Sequence, residues 1–134
     1  VLANNATLAG HVHVGDWATI GGLTGVHQFV KIGEHAMVGF QAHVAQDVPP
    51  YMTVDGHPLT VRAVNLTGLK RRGFSAERQS VIRQLHRLLY RESLTMAQAV
   101  EQMQALKLQS PPESLADIEL MLAFLQQAER GIVR

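Results

Sequence analysis

Along residues 2 to 49 the aliphatic positions return every six residues. Leu2, Leu8, Val14, Ile20, Val26, Ile32, Val38 and Val44 stand in one register. The next position is small in seven of the eight hexads, as Ala3, Ala9, Gly15, Gly21, Gly33, Gly39 and Ala45. The fifth is small or β-branched throughout: Ala6, Val12, Ala18, Thr24, Val30, Ala36, Ala42 and Val48. A period of six scatters these residues around a 3.6-residue turn, which excludes an α-helix, and it is not the alternation at two of a half-buried strand. It is the period of a stacked coil, a parallel β-helix in which each hexad forms one short flat side. On this reading the large aliphatic fills the interior and the small neighbour lets the chain turn the corner. Successive coils then pair backbone to backbone about 4.8 Å apart. With three hexads to a coil, the repeat makes fewer than three coils and leaves an unpaired ladder at its upper end. Flat sides invite packing against copies, so a cyclic homotrimer is the expected closed assembly.

The pattern changes after Pro49-Pro50. Proline lacks the ladder donor, so the pair is expected to stop the β-helix, giving a repeat domain over residues 1–50. Residues 51–74, with Gly56, Pro58, Gly68 and Gly73, read as an ordered crossing segment. From Ser75 the apolar period becomes helical. Ser75 is the expected N-cap of a helix burying Val81, Ile82, Leu85, Leu88 and Leu89. Thr95 with Gln98 forms a capping-box pattern opening a second helix, with Ala99, Val100, Met103 and Leu106 inward. Ser110 with Glu113, around Pro111-Pro112, predicts a third helix burying Leu115, Ile118, Met121, Leu122 and Leu125. Arg130 and Arg134 are expected to fray. The predicted fold class is therefore mixed β and α: a left-handed parallel β-helix of hexapeptide repeats followed by a small three-helix C-terminal bundle over residues 75–134.

Composition narrows the function. With 12 Lys+Arg against 11 Asp+Glu there is no global bias toward nucleic acid or membrane, and without cysteine there is no disulfide or thiolate chemistry. No long apolar run suggests a membrane span, and a cytoplasmic location is expected. The chain begins at Val1 inside a running repeat, which reads as a piece of a longer protein with more coils upstream.

Two histidines carry the candidate chemistry. His27 takes the place where the other hexads have Gly or Ala, and Gln28 beside it offers both a donor and an acceptor. His11, after Gly10, belongs to the hexad three hexads, or one coil, above that of His27, on the same side of the prism. Histidines on β-helix corners are more often solvated surface, and His13, His35, His43, His57 and His86 take that reading. Charge is uneven despite its small sum. Between Arg62 and Arg91 stand eight Lys/Arg (Arg62, Lys70, Arg71, Arg72, Arg78, Arg83, Arg87 and Arg91) and one acid, Glu77. Such a patch suits a phosphorylated ligand or an acidic protein, and the Lys70-Arg71-Arg72 run between glycines favours phosphate. No aromatic residues interleave for stacking on bases, which argues against nucleic acid.

Three stretches closely resemble one family. Val26-His27-Gln28-Phe29, Ala45-Gln46-Asp47-Val48-Pro49-Pro50-Tyr51 and, most specifically, Asn65-Leu66-Thr67-Gly68-Leu69-Lys70-Arg71-Arg72-Gly73-Phe74 resemble UDP-N-acetylglucosamine 3-O-acyltransferases. The likeness covers the whole chain and is expected to match only the C-terminal half of the family. It implies transfer of a 3-hydroxyacyl group from acyl carrier protein to the 3-hydroxyl of UDP-N-acetylglucosamine, the first committed step of lipid A synthesis, with no cofactor and no metal. By this resemblance Gly10 supplies an oxyanion N–H and His11 stands beside it. His27 and Gln28 position sugar and acyl group, and Asn65, Arg71 and Arg72 hold the nucleotide and its diphosphate, often across a subunit boundary. The arginine-rich first helix would face the acidic carrier protein. The family's base histidine lies in an Asn-Ala-His-x-Ala-His-Asp type motif that no position here matches, so the isolated chain is expected to be inactive. Phe40 stands where some relatives carry Gly, which implies shorter acyl donors, and Thr67 stands where some carry Glu. Two other readings are a non-catalytic module that trimerises and binds carrier protein, and a paralogous hexapeptide acyltransferase acting on another nucleotide sugar.

Overall fold

A computed structural model describes residues 1–128 and 131–134. Seven two-residue strands follow at the period of six: β1 (Thr7–Leu8), β2 (His13–Val14), β3 (Thr19–Ile20), β4 (Gly25–Val26), β5 (Lys31–Ile32), β6 (Met37–Val38) and β7 (His43–Val44). They pair in parallel every third strand, as β1-β4-β7, β2-β5 and β3-β6, so three hexads do close one coil of a left-handed β-helix. The interior is filled from the first and fifth positions of the hexads, by Ile20, Val26, Ile32, Val38 and Val44 with Ala18, Val30, Ala36, Ala42 and Val48. Thr24 also lies inside. Its hydroxyl donates to the Gly39 carbonyl at 3.0 Å and accepts from the Ala42 N–H at 3.3 Å, which satisfies the one hydroxyl set among these aliphatics. Toward the upper end Leu2 and Val14 are partly uncovered, at 54% and 36% exposure.

The corner works differently from the sequence expectation. The left-handed backbone falls on Asn5, His11, Trp17, Leu23, Phe29, His35 and Gln41, with φ from 55° to 69°, and none of these is glycine. The repeat glycines precede the corner and answer a packing demand. A Cβ at Gly33 would lie 2.4 Å from the Pro50 nitrogen, and one at Gly21 would lie 2.7 Å from the Gly39 carbonyl carbon. They are small because the next coil passes directly beneath them, and the turn itself is carried by side-chain-bearing residues.

The prolines do not end the ladder. β8 (Met52–Asp55) pairs in parallel with β6, Val38 facing Val54. The last coil is two residues shorter than those above, since Ile20 faces Val38 in the preceding one. Pro49 sits below Gly33, whose N–H reaches the Val48 carbonyl, on a side where no further coil needs a donor. β9 (Thr60–Val64) then returns antiparallel to β8 and covers the lower edge of that side. The C-terminus covers another. Asp47 bridges to Ile132 in parallel, Val133 is buried in the β-helix core, and the Arg134 guanidinium donates to the Leu89 carbonyl. The frayed end expected at Arg134 is thus a docked one, because its apolar neighbours find an open ladder edge. Arg130 lies outside the described residues.

Four helices follow β9, one more than predicted: α1 (Leu66–Arg71), α2 (Ala76–Tyr90), α3 (Met96–Lys107) and α4 (Pro112–Gln126). Ser75 caps α2, and Thr95 with Gln98 forms the complete capping box of α3. The third predicted box does not form. Pro111 is the N-cap of α4, Ser110 donates instead to the Leu106 carbonyl, and Glu113 accepts from Ser75. Pro112 at the first helical position needs no acceptor for a missing N–H, so α4 starts without a side-chain cap. Its buried stripe is Ser114, Asp117, Ile118 and Met121, while Leu115, Leu122 and Leu125 are only partly covered.

Candidate functional site

The two flat sides holding β1-β4-β7 and β2-β5 meet at a first corner, and the residues singled out from the repeat gather there. Gly10 and His11 lie one coil above Gln28 and Phe29, joined by a hydrogen bond from the Phe29 N–H to the Gly10 carbonyl at 3.1 Å. The His11 ring stacks on Phe29, centroids 4.9 Å apart and 6° from parallel. His27 Nδ1 faces the Gln28 carbonyl oxygen at 3.1 Å. A ring nitrogen facing a carbonyl is the donor, which places a proton on Nδ1. The position of His27 is occupied by Ala9 above and Ala45 below, never by glycine, whereas the other two corners have Gly15 with Gly33 and Gly21 with Gly39. A side chain at 27 therefore meets no steric rule against it, which is the correction to reading His27 as a break in the repeat.

Gly10 differs from the other repeat glycines. Apart from its chain neighbours, a Cβ there would meet only Gln28 Nε2, at 3.9 Å, and its φ is not in the left-handed region. Neither packing nor backbone conformation requires a glycine. Its N–H has no acceptor among the described residues, so an unhindered donor lies open beside the Gln28 amide and the His11 ring.

A second corner carries the nucleotide candidates. Trp17, His35 and Tyr51 are its left-handed residues in three successive coils, and α1 lies across them. Asn65 is fixed at the start of α1: its N–H donates to the Tyr51 carbonyl at 2.7 Å, its Nδ2 to the His35 carbonyl at 2.9 Å, and its Oδ1 accepts from the Gly68 N–H. Arg72 closes α1, its backbone N–H bonded to Gly68 and Leu69, and its guanidinium lies 3.6 Å from the centroid of the Trp17 ring. Arg71 is exposed beside it, with no ion pair among the described residues. The third corner carries Phe40, 64% exposed, its ring next to Gly22.

One chain therefore brings Gly10, His11, His27 and Gln28 together. It sets Asn65, Arg71 and Arg72 on a second corner and Phe40 on a third.

Sequence reasoning missed the polar core under the second corner. Tyr51 Oη donates to Asp117 Oδ1 at 2.9 Å, and Arg78 grips the same buried carboxylate through Nε and Nη2, each at 2.9 Å. Burial and then the Asp117 charge push the Tyr51 phenol well above its usual range, and the Asp117 hydrogen bond holds the Arg78 guanidinium charged. His35 packs edge-on to Phe74, and burial pushes its imidazole below the ordinary value, with Asp117 opposing and Arg78 and Arg72 reinforcing the shift. Arg78, half-buried, thus turns from the basic patch onto the buried Asp117, and Arg62 is paired with Asp55. An aspartate at helical spacing with Ser114, Ile118 and Met121 was the available signal.

The fold is that of a hexapeptide-repeat protein, a left-handed prism with a glycine N–H and imidazoles on one corner and arginines over the next. The family model described as UDP N-acetylglucosamine O-acyltransferase, domain 2, matches residues 47–133. An acyl-[acyl-carrier-protein]–UDP-N-acetylglucosamine O-acyltransferase of Leptothrix cholodnii is 74% identical over all of the chain, and one of Verminephrobacter eiseniae 61%. The UDP-N-acetylglucosamine O-acyltransferase structure from Moraxella catarrhalis superposes with a TM-score of 0.92 at 34% identity, covering 100% of the chain and 50% of that structure. That of Francisella novicida gives 0.91 at 36%, covering 99% and 47%. The chain belongs to the UDP-N-acetylglucosamine O-acyltransferase family.

It spans 51% of the length of each of the two curated relatives. The expectation of a match to the C-terminal half alone is corrected: the chain carries the hexapeptide β-helix as well as the helical bundle, and the Leptothrix relative aligns along all of it.

Proposed function

We propose that the protein moves a 3-hydroxyacyl group from the thioester of acyl carrier protein to the 3-hydroxyl of UDP-N-acetylglucosamine, the first step of lipid A biosynthesis. The observation that carries this reading is Gly10. Its N–H has no acceptor among the described residues, its surroundings are open, and it lies beside His11 and the Gln28 amide. An acyl transfer builds negative charge on the thioester oxygen, and an N–H that nothing else uses can stabilise it. His27 and Gln28 then position the sugar and the acyl group, while Asn65, Arg71 and Arg72 hold the uridine diphosphate. Their placement on separate corners supports a cyclic trimer, in which one copy's first corner meets a different corner of its neighbour. The exposed Arg83 and Arg87 of α2, with Arg91 at its C-cap, suit the acidic carrier protein. No helix among the described residues is long and apolar enough to cross a membrane.

In the full-length protein, His11→Ala is expected to lower kcat/KM for acyl transfer by about tenfold or more. Unchanged kcat/KM would remove the first corner from the reaction. Phe40→Gly should shift the profile toward longer acyl donors, and an unmoved profile would end the chain-length role of Phe40. The chain assayed by itself should transfer no acyl group, because no residue in it matches the family's base motif. Carrier-protein binding without binding of UDP-N-acetylglucosamine would favour the non-catalytic module.

A further inference from the structure

We infer that Trp17 is the positioning residue of the diphosphate site, holding the Arg72 guanidinium flat so that its in-plane N–H donors face the ligand; this rests on the reading that Arg72 binds the nucleotide diphosphate. Arg72 has a backbone fixed by two hydrogen bonds at the end of α1, but its side chain is long and exposed. The contact recorded for it is the indole face of Trp17 at 3.6 Å. Stacking engages the π-face of a guanidinium and leaves its five N–H groups in the plane, the arrangement that grips two phosphate oxygens at once. No acceptor among the described residues uses those donors. Trp17 itself makes little other use of its ring: it remains 58% exposed at a corner whose backbone other residue types also adopt. The core does not explain an indole there; the arginine does.

The repeat supplies its own controls. Leu23 and Phe29 hold the equivalent left-handed position at the other two corners, with φ 58° and 69°, so Trp17→Leu and Trp17→Phe both suit this backbone. Leucine removes the π-face and phenylalanine keeps one. Trp17 is the one tryptophan among these 134 residues, and the difference in emission between the parent and Trp17→Phe reports on the guanidinium above it.

The experiment is titration of the full-length protein with UDP, by calorimetry and, at residue 17, by tryptophan emission. Trp17→Leu should weaken UDP roughly three- to fivefold, the size of an exposed cation–π contact, and raise KM for the nucleotide sugar with kcat little changed. Trp17→Phe should stay within about twofold of the parent. Arg72→Ala should weaken UDP by about tenfold or more and abolish the emission change. On that background Trp17→Leu should add nothing, since the residue acts through the guanidinium. Equal UDP affinity in Trp17→Leu and parent, or a full additive loss in the double variant, would overturn the positioning role while leaving the diphosphate reading intact. Unchanged UDP affinity in Arg72→Ala would overturn both.

Discussion

The β-helix and the helical bundle are held together by opposite means. In the β-helix every coil repeats the same contacts, so stability is spread over many equivalent aliphatics, and the strict positions are glycines on which the next coil lies. The bundle is also apolar inside, and among its polar links to the β-helix is a buried carboxylate that binds a corner tyrosine and a helix arginine. A repeat tolerates change at most positions and fails at a few steric ones; a buried polar network is weakened when any member is lost.

The largest effect should come from that network. Asp117→Ala leaves the Arg78 charge and the buried Tyr51 hydroxyl without their acceptor and should cost about 3–5 kcal/mol in denaturant unfolding. A loss under about 1 kcal/mol would show that the bundle is held by apolar contact alone. The steric positions come next. Gly33→Ala forces a Cβ against the Pro50 nitrogen and should cost about 1–3 kcal/mol, whereas Gly10→Ala should stay within about 0.5 kcal/mol. Equal losses at the two would erase the distinction between a packing glycine and an open one. Thr95→Ala breaks a complete capping box, worth about 1 kcal/mol in thermal unfolding, and Ser110→Ala, at a helix start that uses no side-chain cap, should cost less.

The smallest effect is a pH slope. The folded pKa of His35 is depressed from 6.5 chiefly by burial, so the unfolded chain takes up the proton first as pH falls. The contribution of the neutral ring is full above the unfolded value and is lost as pH drops through the folded one. His35→Gln, a residue that Gln41 shows to be compatible with the corner, should flatten the fall of Tm below pH 6.5. An unchanged slope would assign it elsewhere, His86 being shifted in the same direction by burial and Arg91.

Much of the fold was readable because its forces are local and periodic. A period of six reports which residues face the axis, and Ser75 and Thr95 cap their helices through bonds within three residues. The misreadings lie where a distant segment decides. Pro49-Pro50 looks like a stop until the absence of a coil below removes the need for its donors. Ser110-x-x-Glu113 looks like a cap until Ser75 draws the glutamate away. His35 and Arg78 looked like surface residues, and α4 and Phe74 cover them. Of the candidate site, the first corner was legible because Gly10, His11, His27 and Gln28 are separated by about one coil. The support beneath Asn65 and Arg72 was not, because Trp17 and His35 reach them from coils far upstream.

By itself the sequence determined a three-sided coil, two of the helix starts and the family, since each depends on residues close together or on a motif kept in order. Only the tertiary structure decided that the left-handed turns fall on side-chain-bearing residues, that the C-terminus closes a ladder edge, and that Asp117 binds both Tyr51 and Arg78. Those outcomes depend on which free donor, acceptor or edge is within reach after folding, and chain order does not encode that distance.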